Sequence, residues 1–305
     1  MKFFISMSEN FEMGFDASDY ALDRYNIKQD FLISFWWFFS KYKDKTDFSK
    51  INLTEDKTLK LFRNYLNRTN KKVLLDSGVY SARQKKQSIP NEALVDFYHK
   101  NSDIISHVFT NDEGSPDQQI ENTKFLKSEG VPVIGIYHPG HINKPTMGLK
   151  YIDKIIDICK EDEKSSISYS NFQVVTKDYM KTADIIFNHI YNNYKLEDVK
   201  IHILGAESSD LLLQYPYYST DSASFAINSC NGRQSYLDKK DFRYKHLQFN
   251  YDIKKLVSED INKLNIFADA YQDQRRCRYF YNILERGMYQ KFITDVWEKR
   301  GVTWE

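Results

Sequence analysis

A chain of 305 residues that is 41% hydrophobic and 15% aromatic can bury one large core, which excludes a disordered or fibrous protein. Its 43 lysines and arginines nearly cancel its 42 aspartates and glutamates, so the whole-molecule field announces no polyanion partner and any nucleic-acid contact must come from local patches. The three cysteines, Cys159, Cys230 and Cys277, are odd in number and widely separated, which excludes a disulfide framework and a clustered-thiolate zinc site.

In chain order, the opening Met1 to Met7 carries too short an apolar run for a signal peptide, and Glu9 follows at once. The longest apolar block, Phe31 to Phe39, is interrupted by Ser34 and is far too short to span a bilayer. A soluble, cytoplasmic protein with no membrane partner is therefore expected. Strand-length apolar runs occur at Phe3 to Met7, Phe31 to Phe35, Val73 to Leu75, Ser106 to Thr110, Val133 to Tyr137, Ser166 to Tyr169, Lys200 to Leu204 and Tyr217 to Thr220. Between them, Asn91 to Lys100, Pro116 to Glu129, Met147 to Glu161, Lys177 to Asn193 and Ser208 to Gln214 read as helices, several opening on a residue suited to a helix start. Gly130 falls where a helix C-cap is wanted. The first third is less regular. Residues 252–300 read as a helix-rich tail. No repeat, low-complexity linker or charge run marks a second domain. The alternation predicts an α/β protein, a single (β/α)8 TIM-type barrel over residues 1–305 with a helical C-terminal extension.

In such a barrel the loops after the strands share one mouth, so an acid at a strand end faces a common pocket. Asp76, in Leu75-Asp76-Ser77-Gly78, Asp112, in Asn111-Asp112-Glu113-Gly114, and Asp221, in Ser219-Thr220-Asp221-Ser222, all hold such positions, and His138 follows the Val133 to Tyr137 strand. Singly, each also reads as ordinary cap or turn chemistry. Together, Asp76-Ser77-Gly78 with an aromatic at Tyr80, the Val133 to His138 strand, Ile201-His202-Ile203-Leu204-Gly205 and Tyr218 to Ser222 resemble the tRNA-guanine transglycosylase superfamily, more closely its branch that inserts 7-deazaguanine bases into DNA. The likeness spans roughly residues 70–235.

The resemblance implies exchange of guanine for a 7-deazaguanine base, such as preQ0, at C1′ of a nucleotide, with Asp221 as nucleophile and Asp76 as general acid or base. An ionised carboxylate can attack an oxocarbenium-like carbon and later leave, which splits one hard displacement into two easier ones. Asp112 or Asn111 would accept from the guanine-like edge, with His138, Ser77, Gly78 and Tyr80 around the base. Cations near the mouth, Arg83 with Lys85 and Lys86, Arg233, and Lys239, Lys240, Arg243 and Lys245 with Phe242 and Tyr244 interleaved, are candidates for backbone phosphates, against the plain reading of solvated surface.

The chain also departs from that superfamily. The cysteine and histidine zinc cluster of its tRNA enzymes is missing, His138 and His141 have no third ligand nearby in sequence, and Ser168 to Asn171 replaces a Gly-Gly-Leu-type turn. No metal and no cofactor are expected. DNA is the expected polymer, with partner proteins that open the duplex. A zinc-free tRNA enzyme and a catalytically silent nucleic-acid-binding barrel or partner subunit stand as alternatives.

Overall fold

The computed structural model describes residues 1–7, 11–42, 53, 56–138, 145–161, 164–170, 179–238, 240–241, 243–248 and 274–304. Strands β1 (Lys2–Met7), β2 (Asp30–Ser34), β3 (Val73–Asp76), β4 (Ile105–Phe109) and β5 (Val133–Tyr137) run parallel in sequence order. The two-residue β6 (Lys160–Glu161) folds back antiparallel onto β7 (Lys164–Ser170), which is followed by β8 (Val199–Leu204) and β9 (Ser219–Ser222). Pairing of β5 with β7 and of β9 with β1 closes a barrel of eight parallel strands. Each of the eight runs expected from the sequence is one of these strands. The helix expected over Met147 to Glu161 ends earlier, because Lys160 and Glu161 are drawn into β6 against Lys164 and Ser165.

Alternate residues of a barrel strand face its axis, so the interior is built in levels. Phe4, Leu32, Leu74, Phe109, Ile134 and Ile136 form an apolar cluster of their own inside the barrel, separate from the larger core between sheet and helices. On β1 the inward series is Lys2, Phe4, Ser6, and on β8 it is Lys200, His202, Leu204. Polar side chains thus lie above and below an apolar waist.

The outer layer comprises α1 (Phe11–Tyr25), α2 (Phe35–Tyr42), α3 (Lys57–Thr69), α4 (Val79–Gln84), α5 (Asn91–Lys100), α6 (Pro116–Ser128), α7 (Pro145–Ile158), α8 (Tyr179–Asn193), α9 (Ser209–Gln214), α10 (Ser224–Cys230) and α11 (Gln274–Lys299). The less regular first third is held by aromatic packing: Phe15 and Phe31 meet Phe62 and Tyr65 at centroid distances of 4.6 to 6.1 Å, which clamps α1 and α3 onto β2. Helix α3 starts at Asp56, whose carboxylate accepts from the amides of Thr58 and Leu59 and satisfies two donors the helix leaves open.

An antiparallel hairpin, β10 (Arg233–Asp238) and β11 (Arg243–Gln248), follows α10. Of the expected tail, residues 252–273 lie outside the described residues, and the rest is α11. This helix packs between α1 and α9 and against β1, with Tyr289 Oη donating to Ser209 Oγ at 2.8 Å and Trp297 Nε1 to the Leu212 carbonyl at 2.7 Å. It therefore completes the helical ring rather than standing apart from the barrel. Among the described residues no helix is long and apolar enough to cross a membrane.

Candidate active site

Asp221 lies on β9 between β8 and β1, and both neighbours supply it with donors. Its Oδ1 accepts from His202 Nε2 at 3.1 Å and from the Gly205 amide at 2.8 Å, and its Oδ2 accepts from Ser6 Oγ at 2.5 Å. His202 is held in turn by Ser219 Oγ, 2.8 Å from Nδ1, and by the tilted ring of Phe109, 4.9 Å between ring centres. A carboxylate oxygen offers two lone-pair directions, so Oδ1 is saturated and Oδ2 keeps one direction open. Burial is the largest influence on Asp221 and raises its pKa. The hydrogen bond and charge of His202, the Ser6 hydroxyl and the Gly205 amide together outweigh burial and hold the carboxyl below the ordinary 3.8.

Asp76 ends β3, three strands away around the barrel, and accepts from the Gly78 amide on Oδ2 at 2.9 Å. Gly78 has φ of 79°, and a Cβ there would lie 2.5 Å from the backbone nitrogen of Trp36, so no other residue fits this turn. Burial raises the Asp76 pKa most, and the charges of Asp112 and Asp221 add to it. Against the Gly78 amide and Ser34 these push the carboxyl up to about 7. Asp112 and Asp221 are thus both within electrostatic reach of Asp76 at one mouth.

Asp112 and His138 form a pair of their own, with Nε2 to Oδ2 at 2.5 Å and both side chains mostly buried. Asn111 is spent elsewhere: its amide donates to the Ile89 carbonyl at 2.8 Å and its Oδ1 accepts from the Glu113 amide at 3.1 Å. Of the two base-reading candidates, only Asp112 has its side chain on His138. Ser77 is buried, while Tyr80 is 54% exposed on α4, at the rim rather than in the core.

The cations separate into two groups. Arg83 on α4 and Arg233 at the start of β10 are exposed, as is Lys240. Arg243 is engaged by Asp210 at 3.0 Å, and Lys245 by Asp238 at 2.7 Å and Asp241 at 2.6 Å. The expected cations of this hairpin are therefore partly paired: Asp238 and Asp241 flank the turn and engage Lys245. Lys239 and His141 lie outside the described residues. On α11, Arg286 is buried against Glu207 at 3.0 Å and Arg278 donates to the Ser229 carbonyl. Among the described residues no group of three or more His, Cys, Asp and Glu side chains is arranged to hold a metal ion.

Two functional residues escaped sequence reasoning. Ser6 is 215 positions from Asp221, and its place follows only from the parallel register that sets Phe4 beside Asp221. The Gly205 amide has no side-chain signal, although the motif that contains it, His202 to Gly205, was visible.

No protein-family model matches the chain, and no curated protein matches it. Solved structures with a similar barrel include the tryptophan synthase A-subunit of Pyrococcus furiosus, at 13% identity over 76% of this chain and 90% of that one with a TM-score of 0.44. A protein of Burkholderia cenocepacia J2315 described as a lyase/mutase matches at 7% identity over 90% and 92%, with a TM-score of 0.45. At these values the likeness is between barrels and does not extend to their chemistry.

Proposed function

We propose that this barrel is a base-exchange transglycosylase that replaces guanine in DNA with a 7-deazaguanine base such as preQ0. The observation that carries the reading is the split between the two mouth carboxyls, Asp221 held ionised by three donors and Asp76 raised to about 7 by burial and like charge. Two acids of one site pushed apart in pKa suit a nucleophile and a proton carrier.

In the proposed reaction Asp221 Oδ2 attacks C1′ as the C1′–N9 bond to guanine breaks, and Asp76 gives its proton to the departing purine. The incoming deazaguanine returns a proton to Asp76 from its own N9, and N9 then displaces Asp221 from C1′. Two displacements give net retention at the sugar. Asp112, oriented by His138, accepts from the N1–H and 2-amino donors of the base edge. A stacked, paired nucleotide cannot present C1′ to a carboxylate this deep, so the target must be flipped out or unpaired.

The test incubates the protein with labelled guanine or preQ0 and single-stranded DNA, duplex DNA or tRNA, and measures which polymer gains label. DNA is expected to gain it, single-stranded or mismatched sites faster than duplex. Label in tRNA alone would overturn the choice of polymer, and label in no polymer would overturn the exchange reaction.

A further inference from the structure

At the opposite end of the barrel, beneath the apolar waist, lies a cavity of about 410 Å³. Its ceiling is Phe4, Leu74 and Ile134, its inner wall includes Ser219 and His202, and its rim carries Lys2, Lys71, Lys72 and Lys200. Asp30 is the one acid lining it, and it is already bonded through both oxygens to Lys71 Nζ at 2.8 Å. Lys72 donates to the Ser102 carbonyl at 2.9 Å. Lys2 and Lys200 remain. Their ammonium groups sit 5.1 and 5.0 Å from the centre of the Tyr218 ring, and among the described residues neither is paired with a carboxylate. Both lysines line one concave, partly apolar surface, and an anion seated there would offset charges that no described carboxylate pairs.

We propose that this cavity is a binding site for a small phosphate monoester with a compact apolar or aromatic body, distinct from the acidic mouth. The phosphate dianion lies between Lys2 and Lys200, and the body covers Phe4, Leu74 and Ile134. The volume suits such a molecule, since ligand sites of roughly 300 to 1,000 Å³ bury most of a small ligand. A dianion rather than a monocarboxylate is favoured because two unpaired ammonium groups face one space, and a phosphate monoester carries close to two charges at neutral pH.

Phenyl phosphate is the probe, titrated calorimetrically into the full chain with inorganic phosphate as the comparison. Phenyl phosphate is expected to bind at least about tenfold more tightly than inorganic phosphate, because its ring removes the apolar ceiling from water. Lys2→Gln with Lys200→Gln should weaken it at least tenfold, and Asp76→Asn at the mouth, which touches no residue of the cavity wall, should leave it unchanged. Circular dichroism confirms that the variants fold, and the single Lys200→Gln, expected to lose several-fold, stands in if the double variant does not. Unchanged affinity in the lysine variants, or loss in Asp76→Asn, overturns the proposal.

Discussion

The two ends of this barrel are made from the same eight strands and the same alternation, yet they carry opposite charge. The floor gathers Lys2, Lys72 and Lys200 around one committed acid, while the mouth gathers Asp76, Asp112 and Asp221. At the floor the lysines stand at the rim, where long stems keep their charges near water. At the mouth the acids are short and buried, and their protonation is set by what the neighbouring strands donate. Asp221 receives three hydrogen bonds, and Asp76 receives the Gly78 amide and two negative neighbours. Like residues in one pocket thus acquire different chemical states, whereas the floor holds charge without a partner.

The largest effect expected from breaking this contrast is at Asp221. Asp221→Asn keeps size and most hydrogen bonding but cannot attack C1′, and exchange should fall by on the order of 10⁴-fold or more with no covalent adduct in the mass spectrum. Asp76→Asn comes next, with a loss of about 10² to 10⁴-fold, measured by the same label incorporation. In the proposed reaction, departure of guanine needs protonated Asp76, so the wild-type rate should decline as pH rises through about 7, and that limb should vanish in Asp76→Asn.

The same pair predicts opposite stability slopes. Asp76 has a folded pKa above its unfolded one, so its contribution is greatest at low pH and is lost between about 4 and 7 as pH rises. Asp221 has a depressed pKa, so its contribution is present above the ordinary carboxylate range and is lost as pH falls through the depressed value. Asp76→Asn should therefore stabilise the fold at pH 8, by about 1 to 3 kcal/mol once the mouth's access to water is allowed for, measured by denaturant unfolding. Ser6→Ala removes one charge-assisted bond from Asp221 Oδ2 and should slow exchange about 10 to 100-fold while moving the Asp221 pKa upward.

Smaller effects belong to the rim. Arg83→Glu with Arg233→Glu should weaken binding to single-stranded DNA and flatten its dependence on salt, by roughly 0.7 in logarithmic slope per lost phosphate contact. Arg243→Gln should change DNA affinity by less than about twofold, because Asp210 already holds that guanidinium. An equal loss at Arg243 and Arg83 would erase the division between engaged and open cations.

Six of the eight strands were legible as short apolar runs, whereas β7 and β9 are mostly polar and stood out only by their place in the alternation of strands and helices, whose number predicts the closed barrel. Helix α1 was not legible. Phe11 to Tyr25 contains Gly14, Asp16, Ser18 and Asp19, which are poor helix formers, and its helix is set by packing: Gly14 lies against Met7 where a Cβ would be 2.1 Å from the methyl carbon. The hairpin of β10 and β11 was not legible because both strands are mostly charged and polar and neither carries an apolar run. In the candidate site, Asp76, Asp112 and Asp221 could be found from strand ends. Ser6 could not be assigned without the register of β1 against β9, although Lys2, Phe4 and Ser6 share the inward parity that leads to it.

The division of labour between the two mouth carboxyls is tested most directly by titrating them in the folded protein with carbon-13-labelled aspartate, using Asp76→Asn and Asp221→Asn to assign the signals. The account predicts that Asp76 titrates near 7 and Asp221 below the ordinary 3.8. An Asp76 that titrates with ordinary carboxylates, or an Asp221 that titrates above them, would contradict it.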